Sequence, residues 1–283
     1  MHTHLITVEQ LSALSPAQCL VFDVSADLMN PEAGLQMYGQ EHIAGAIHAD
    51  LNHHLSESDP AFAVNGGRHP LPQREVLAQW LRCVGLNNDM QAVVYDRQGA
   101  NYCVRLWWMM KWCGHAAVAV LDGGFQAWQK SGGAITRGIE SPRTEGQFSL
   151  APALVNWRST AEVAAQLGSP QQTLIDARAP ARFKGETEPL DPVAGHIPGA
   201  LNRPFPLNLD ANGFFKSPAL LRQEFDQLLA GRDPAGVVHH CGSGVSALPN
   251  LLAMELAGLG NTSLYPGSWS EWCNTPGLAC AKG

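Results

Sequence analysis

No Cys-x-x-Cys pair occurs in the 283 residues, and the seven cysteines, at positions 19, 83, 103, 113, 241, 273 and 280, are odd in number and scattered. That pattern excludes the usual zinc ribbons, argues against a disulfide framework and favours a reducing compartment. Basic runs are equally scarce. With 18 Lys+Arg against 25 Asp+Glu, a net charge of −7 and no interleaving of basic and aromatic residues, nothing tracks a phosphate backbone, which speaks against nucleic acid as a partner. Apolar runs stay below the roughly 18 residues that would span a membrane. The start, Met1-His2-Thr3-His4-Leu5, has no basic region leading into an apolar core. The expectation is a soluble, cytoplasmic protein with no membrane partner, no metal and no cofactor.

What is present is organised around one stretch, Val237-Val238-His239-His240-Cys241-Gly242-Ser243-Gly244-Val245-Ser246-Ala247, followed by an apolar run from Leu248 to Leu259. A β-branched run, a turn of small residues and a helical pattern read as strand, tight loop and helix. Cys241 then lies at the carboxyl end of a strand, the edge of an open α/β sheet where ligands bind. The helix starts near Ala247, because Pro249 is tolerated only in a first turn. Loop amides from Gly242 to Ala247, turned inward around glycines at a helix N-terminus, form a nest for an anion. Such a cradle favours a thiolate and would hold a negatively charged sulfur.

Three chemistries use a cysteine so placed: acyl transfer, phosphate-ester cleavage through a thiophosphate, and carriage of sulfur as a persulfide. Phosphate-ester cleavage needs an arginine after five intervening residues to clamp the phosphoryl oxygens, and that position is Ala247. Acyl transfer needs a base, and His240, as a strand neighbour, points to the opposite face. His239 and His240 are read as packed strand residues. A persulfide asks only for the thiolate and the ring of amides.

The chain is written twice. Thr7-Val8-Glu9-Gln10 and Ser159-Thr160-Ala161-Glu162 are capping boxes, each followed by a strand ending in aspartate, Asp23 and Asp176. His42-Ile43-Ala44-Gly45-Ala46 matches His196-Ile197-Pro198-Gly199-Ala200 at an offset of 154, and Val93-Val94-Tyr95-Asp96 matches Val238-His239-His240-Cys241 at 145. So long a period, with strands alternating with helices, means two tandem α/β domains. The stretch from Ser131 to Asn156 is rich in Gly, Pro, Ser and Thr. The expected division is a domain over 1–135, a linker over 136–156 and a domain over 157–283. Asp96 stands where the second half has Cys241, so the first domain should be chemically silent. Cys103 and Cys113 lie on an aromatic-rich helix and are read as core residues.

These motifs, with Asp176-Ala177-Arg178, Arg182-Phe183, Glu188-Pro189 and Gly267-Ser268-Trp269-Ser270-Glu271-Trp272, resemble the two-domain sulfurtransferases of the rhodanese and 3-mercaptopyruvate sulfurtransferase family over nearly the whole chain. The resemblance implies two tandem rhodanese-like domains, each a mostly parallel five-stranded sheet flanked by helices, with the active cysteine in the second and its site at the domain interface. Cys-Gly-Ser-Gly-Val is similar to the mercaptopyruvate enzymes, whereas thiosulfate enzymes tend to carry Arg-Lys after the cysteine. The family's mercaptopyruvate enzymes hold the donor carboxylate with two arginines. Arg182 matches the first, but the second position is Leu190, for which Arg178, or Arg68 from the first half, are candidate substitutes. A Ser-His-carboxylate arrangement in the family maps to Ser243, His42 and an acid near Pro31 and Glu32, while His42 and His196 could equally brace their own turns.

The expected activity is sulfur transfer from a small anionic donor, 3-mercaptopyruvate ahead of thiosulfate, through a Cys241 persulfide to cyanide or a thiol such as a thioredoxin-like protein. Its alternatives are a thiosulfate:cyanide sulfurtransferase and a non-catalytic binding or redox-sensing module.

Overall fold

The computed structural model describes residues 1–141 and 143–283. The chain divides into two compact units, and neither is continuous in sequence. The first comprises Met1–Glu57, Pro72–Leu154 and Ala211–Phe215; the second comprises Ser58–Leu71, Val155–Asp210 and Lys216–Gly283. A sequence-based division at 135 and 157 misses both short segments. It also frees a stretch that is in fact anchored. Phe148 is buried, and the amides of Gly146, Phe148 and Ala151 donate to the carbonyls of Arg82, Leu86 and Cys113, so the Gly- and Ser-rich strap lies along the first unit.

In the first unit the strands are β1 (Leu5–Ile6), β2 (Cys19–Asp23), β3 (His42–Ile43), β4 (Ile47–His48), β5 (Gln91–Tyr95), β6 (Val118–Leu121) and β7 (Ile135–Thr136). Five of them form a parallel sheet in the order β1-β6-β5-β2-β4, and β3 pairs antiparallel with β7. The second unit repeats the plan with β8 (Asn156–Trp157), β9 (Thr173–Asp176), β10 (Leu201–Asn202), β11 (Val237–His240) and β12 (Ser263–Leu264), all parallel in the order β10-β9-β11-β12-β8. Parallel strands covered on both faces read as continuous apolar or buried runs rather than alternating ones. Accordingly β5 and β11, central in their sheets, are buried at every residue.

Both capping boxes form, Thr7 with Gln10 and Ser159 with Glu162, and start the short helices Val8–Ser12 and Thr160–Ala165. The helix Cys103–Trp112 is buried at all ten positions, Arg105 and Lys111 included; Arg105 donates to the Leu55 carbonyl and the Lys111 ammonium lies over the Trp107 ring. Its counterpart, Leu248–Leu256, has Pro249 in the first turn and is buried from Leu248 through Met254. The second unit's core closes around Val163, Leu174, Ile197, Val238, Tyr265, Trp269 and Trp272. The last two tryptophans come from the Gly-Ser-Trp-Ser-Glu-Trp motif, so that motif fastens the region after β12 beneath the cysteine loop. Among the described residues no helix is long and apolar enough to cross a membrane.

Candidate active site

Cys241 follows the last residue of β11 and is almost fully buried. The helix Ser268–Trp272 fixes how the loop after it turns. Its amides at Trp269 and Ser270 donate to the carbonyls of Cys241 (3.0 Å) and Gly242 (2.9 Å), while the Cys241 amide donates to Ser268 Oγ at 3.1 Å. The carbonyls of Cys241 and Gly242 are thereby taken up by that helix. Among the described residues, the amides of Gly242, Ser243, Val245, Ser246 and Ala247 donate to no protein acceptor. Gly244 makes the turn possible. It has φ +73°, and a Cβ there would sit 2.9 Å from Pro266 Cα and closer still to the Pro266 carbonyl oxygen.

The first unit shows the same loop occupied by its own side chain. Asp96 follows β5 as Cys241 follows β11. Its Oδ1 accepts from the amides of Gln98 and Ala100 at 2.9 Å, and its Oδ2 from those of Tyr102 (2.8 Å) and Cys103 (2.9 Å). Burial pushes the Asp96 carboxyl up, and those four amides pull it back. Cys103 and Cys113 are both buried, and burial, with Asp96 beside it, pushes the Cys103 thiol well above its ordinary range. Burial likewise raises Cys113, to about 11.

Charged side chains converge beside the Cys241 loop. Arg178 is enclosed: it donates to both Asp176 oxygens, to Glu188 Oε2 (3.3 Å) and to the Gly195 carbonyl, and its guanidinium lies 4.9 Å from the centre of the Trp269 ring. That is the environment of a brace under the loop. Asp176 is fully buried, which opposes ionisation, yet Arg178, by its charge and its hydrogen bonds, holds it below the ordinary carboxylate range. Glu188 is lowered similarly, burial being outweighed by Arg182 and by the amides of Leu190 and Asp191. Burial pushes the His239 imidazole down to about 3 and lowers His240 as well, even with Asp176 Oδ2 at 3.9 Å from its Nδ1. Both behave as neutral packed strand residues.

Arg182 donates to Glu188 at 2.6 Å and reaches Asp191 at 3.4 Å. Arg68, on the segment Ser58–Leu71, pairs with the same Asp191 through its Nη1. The two guanidinium groups meet at Gly242: a Cβ there would lie 2.9 Å from Arg68 Nη2 and 3.6 Å from Arg182 Nη1. So the loop that carries no cation of its own has two delivered to it, and glycine at 242 leaves the room for them. Of the substitutes considered for Leu190, it is Arg68 that the structure brings to Arg182.

Ser243 has an imidazole partner, and it is His69: His69 Nδ1 and Ser243 Oγ are 2.8 Å apart. This corrects the mapping onto His42. His42 lies in the first unit, stacked on Tyr38 at 3.9 Å, with Nδ1 2.8 Å from the Tyr38 carbonyl and Nε2 3.2 Å from Glu140. His196 repeats the device, stacked on Phe183 at 3.9 Å and bonded to the Phe183 carbonyl at 2.8 Å. Both histidines therefore brace their own turns, and Glu32 only precedes the helix Ala33–Gln40 without capping it. Sequence reasoning missed His69 because it sits in an irregular loop with no periodicity. The one available signal was the Gly66-Gly67-Arg68-His69-Pro70 string, two titratable residues between turn formers.

A strand-ended cysteine in the second α/β unit, with a carboxylate-filled copy of its loop in the first, marks a duplicated fold with one cysteine site, and comparison with known proteins gives its class. The chain belongs to the rhodanese-like domain family, whose model matches residues 7–131 and again 159–275. It is 44% identical over 281 residues to a probable 3-mercaptopyruvate sulfurtransferase of Pseudomonas aeruginosa, covering 99% of this chain and 98% of that one. A putative thiosulfate sulfurtransferase of Mycobacterium tuberculosis is 38% identical, with 99% and 97% covered. The crystal structure of a 3-mercaptopyruvate sulfotransferase from Escherichia coli superposes with a TM-score of 0.78 at 29% identity, covering 94% of this chain and 99% of that one. The protein is a two-domain sulfurtransferase that works between a small-molecule sulfur donor and an acceptor.

Proposed function

We propose that Cys241 is the nucleophile and sulfur carrier, with 3-mercaptopyruvate as the favoured donor. The observation that supports this most is the set of loop amides at Gly242, Ser243, Val245, Ser246 and Ala247, which donate to no protein acceptor among the described residues, beside the guanidinium groups of Arg68 and Arg182. The Cys241 thiolate attacks the donor sulfur and the C–S bond breaks. The electron pair leaves on carbon as the pyruvate enolate, which takes the proton of the donor thiol, giving pyruvate and the Cys241 persulfide anion. The amides stabilise the terminal sulfur, since preorganised donors aimed at developing charge contribute most to rate. Arg182 and Arg68 orient the donor carboxylate. Ser243, bonded to His69, faces the same loop and serves the proton movement. In the second half-reaction a thiol, of which a thioredoxin-like protein is one, or cyanide attacks the outer sulfur and restores the thiolate.

With thiosulfate the leaving group would be sulfite. A dianion brings one more negative charge to a site where Arg68, Arg178 and Arg182 already face Asp176, Glu188 and Asp191. We assign the first unit a silent role, because a carboxylate already fills its nest. The catalytic unit is then Val155–Gly283 completed by Ser58–Leu71 and without Ala211–Phe215. Seven free cysteines suit a reducing, cytoplasmic setting.

Incubation with mercaptopyruvate should add one sulfur to the protein, on Cys241 by mass spectrometry. Cys241→Ser should end transfer from every donor; transfer surviving in that variant would defeat the assignment, and a protein that loads no sulfur would be a binding module. For the donor, wild type should give the larger kcat/KM with mercaptopyruvate. Leu190→Arg should lower KM for mercaptopyruvate and change thiosulfate kinetics less. A larger specificity constant for thiosulfate would reverse the donor assignment.

A further inference from the structure

Asp191 is buried while the two arginines it bridges are partly open to solvent: its side chain is 2% exposed, against 27% for Arg68 and 19% for Arg182. One of its oxygens faces each guanidinium, Oδ1 toward Arg68 and Oδ2 toward Arg182. The turn that presents it is fixed from within. Glu188 Oε1 accepts from the amides of Leu190 (3.1 Å) and Asp191 (3.2 Å), and the same Glu188 oxygen holds Arg182. Arg68 is tethered on its own side by its amide, which donates to Ser270 Oγ at 3.1 Å. Neither arginine is therefore waiting with an unbalanced charge, and a carboxylate already stands where two cations converge on the cysteine loop.

We propose that Asp191 is a specificity-determining residue that acts as an internal competitor for the donor's anionic group. This rests on Arg68 and Arg182 being the donor clamp. An entering carboxylate must take over guanidinium donors that Asp191 holds, so it gains only the difference between two similar charge-assisted interactions. A monoanion can make that exchange at nearly constant local charge. A dianion cannot, because the pocket then carries an excess negative charge beside the Cys241 thiolate. The residue thus raises KM for every anionic donor and raises it most for dianions. Beside it, Gly67, Leu190, Pro192, Glu271, Asn274 and Thr275 line a cavity of about 360 Å³ that also reaches Arg68 and Asp191.

The test is steady-state kinetics of Asp191→Asn with both donors. Freeing one charge-assisted contact should raise kcat/KM through a KM lower by about tenfold for mercaptopyruvate and by more for thiosulfate. Asp191→Glu should stay close to wild type. In an Arg68→Gln background, Asp191→Asn should bring a smaller gain, because only the Arg182 contact is then left to free. If Asp191 instead serves to hold the arginines in place, Asp191→Asn will raise KM for both donors, and the proposal is wrong. Should that variant not fold, wild type decides alone: inorganic sulfate should inhibit no better than acetate at equal ionic strength, and sulfate inhibiting tenfold better would overturn the idea. Arg182→Gln separates the two levels. An unchanged KM there would remove the clamp itself, whereas a raised KM with no gain in Asp191→Asn would remove only the competitor role.

Discussion

Gly244→Ala tests whether the cysteine loop is held in shape by its contact with Pro266. At φ +73° the new Cβ carries the left-handed penalty of roughly 1–2 kcal/mol. It also meets backbone atoms of Pro266, at 2.9 Å from Cα and 3.0 Å from the carbonyl carbon, which cannot rotate away as a side chain would. Overpacking of this kind costs typically about 1–3 kcal/mol. Gly258 is the matched control: it has φ +69°, and a Cβ there meets nothing within 4 Å. The left-handed penalty, and the smaller loss of unfolded-chain freedom that accompanies any Gly→Ala change, cancel between the two variants. What remains, about 1–3 kcal/mol, belongs to the Pro266 contact alone. Urea denaturation should give Gly244→Ala an unfolding free energy lower than that of Gly258→Ala by that amount, and so a lower midpoint at equal m. Persulfide loading should separate them further, since only Gly244→Ala displaces the amides around Cys241. Equal midpoints, or full loading in Gly244→Ala, would refute the view that Pro266 sets the loop.

Ser243→Ala and His69→Ala should slow sulfur transfer by similar factors, and the double variant should be hardly slower than either, because the two groups form one hydrogen-bonded pair; multiplied effects would show that they act separately. Stability should depend on pH through Asp176 and Glu188, both lowered in the fold. A depressed carboxyl stabilises fully above its unfolded value, roughly 4, and the contribution fades as pH falls through the folded one. Thermal unfolding should thus plateau above about pH 5 and decline in acid. Glu188→Gln should lower the plateau and flatten the acid limb, and an equally steep limb in that variant would contradict the assignment.

Much of the fold is written in local chemistry. Thr7 with Gln10 and Ser159 with Glu162 announce helix starts because a cap needs only neighbours in sequence. Val237–His240 and Gln91–Tyr95 are visible as central strands because burial on both faces leaves no alternation. The Cys241 loop, its glycines and the helix beginning at Leu248 follow from the same short-range rules. What was hidden depends on separations that local rules do not reach. Arg68 lies 123 positions from Asp191, and His69 lies 174 from Ser243. His42 was misleading for a related reason. Its surroundings repeat those of His196, and only the stacking on Tyr38 and the bond to Glu140, 98 positions away, show it to be a turn brace. Leu190 is a local departure, and the guanidinium that stands beside Arg182, that of Arg68, comes from another part of the chain.

That the second unit takes up Ser58–Leu71, and the first takes up Ala211–Phe215, constrains how the protein can be born. On a ribosome making 5–20 residues per second, Arg68 and His69 emerge roughly 10–40 s before the last residue that follows them. For that time they have no sheet to join. The first unit cannot finish either until residue 215 has been made. Folding therefore cannot run strictly from the N-terminus, one domain after the other, and a chain cut down to 157–283 would have the cysteine but neither Arg68 nor His69. The duplicated halves look separable on paper, yet their synthesis must be completed as one object.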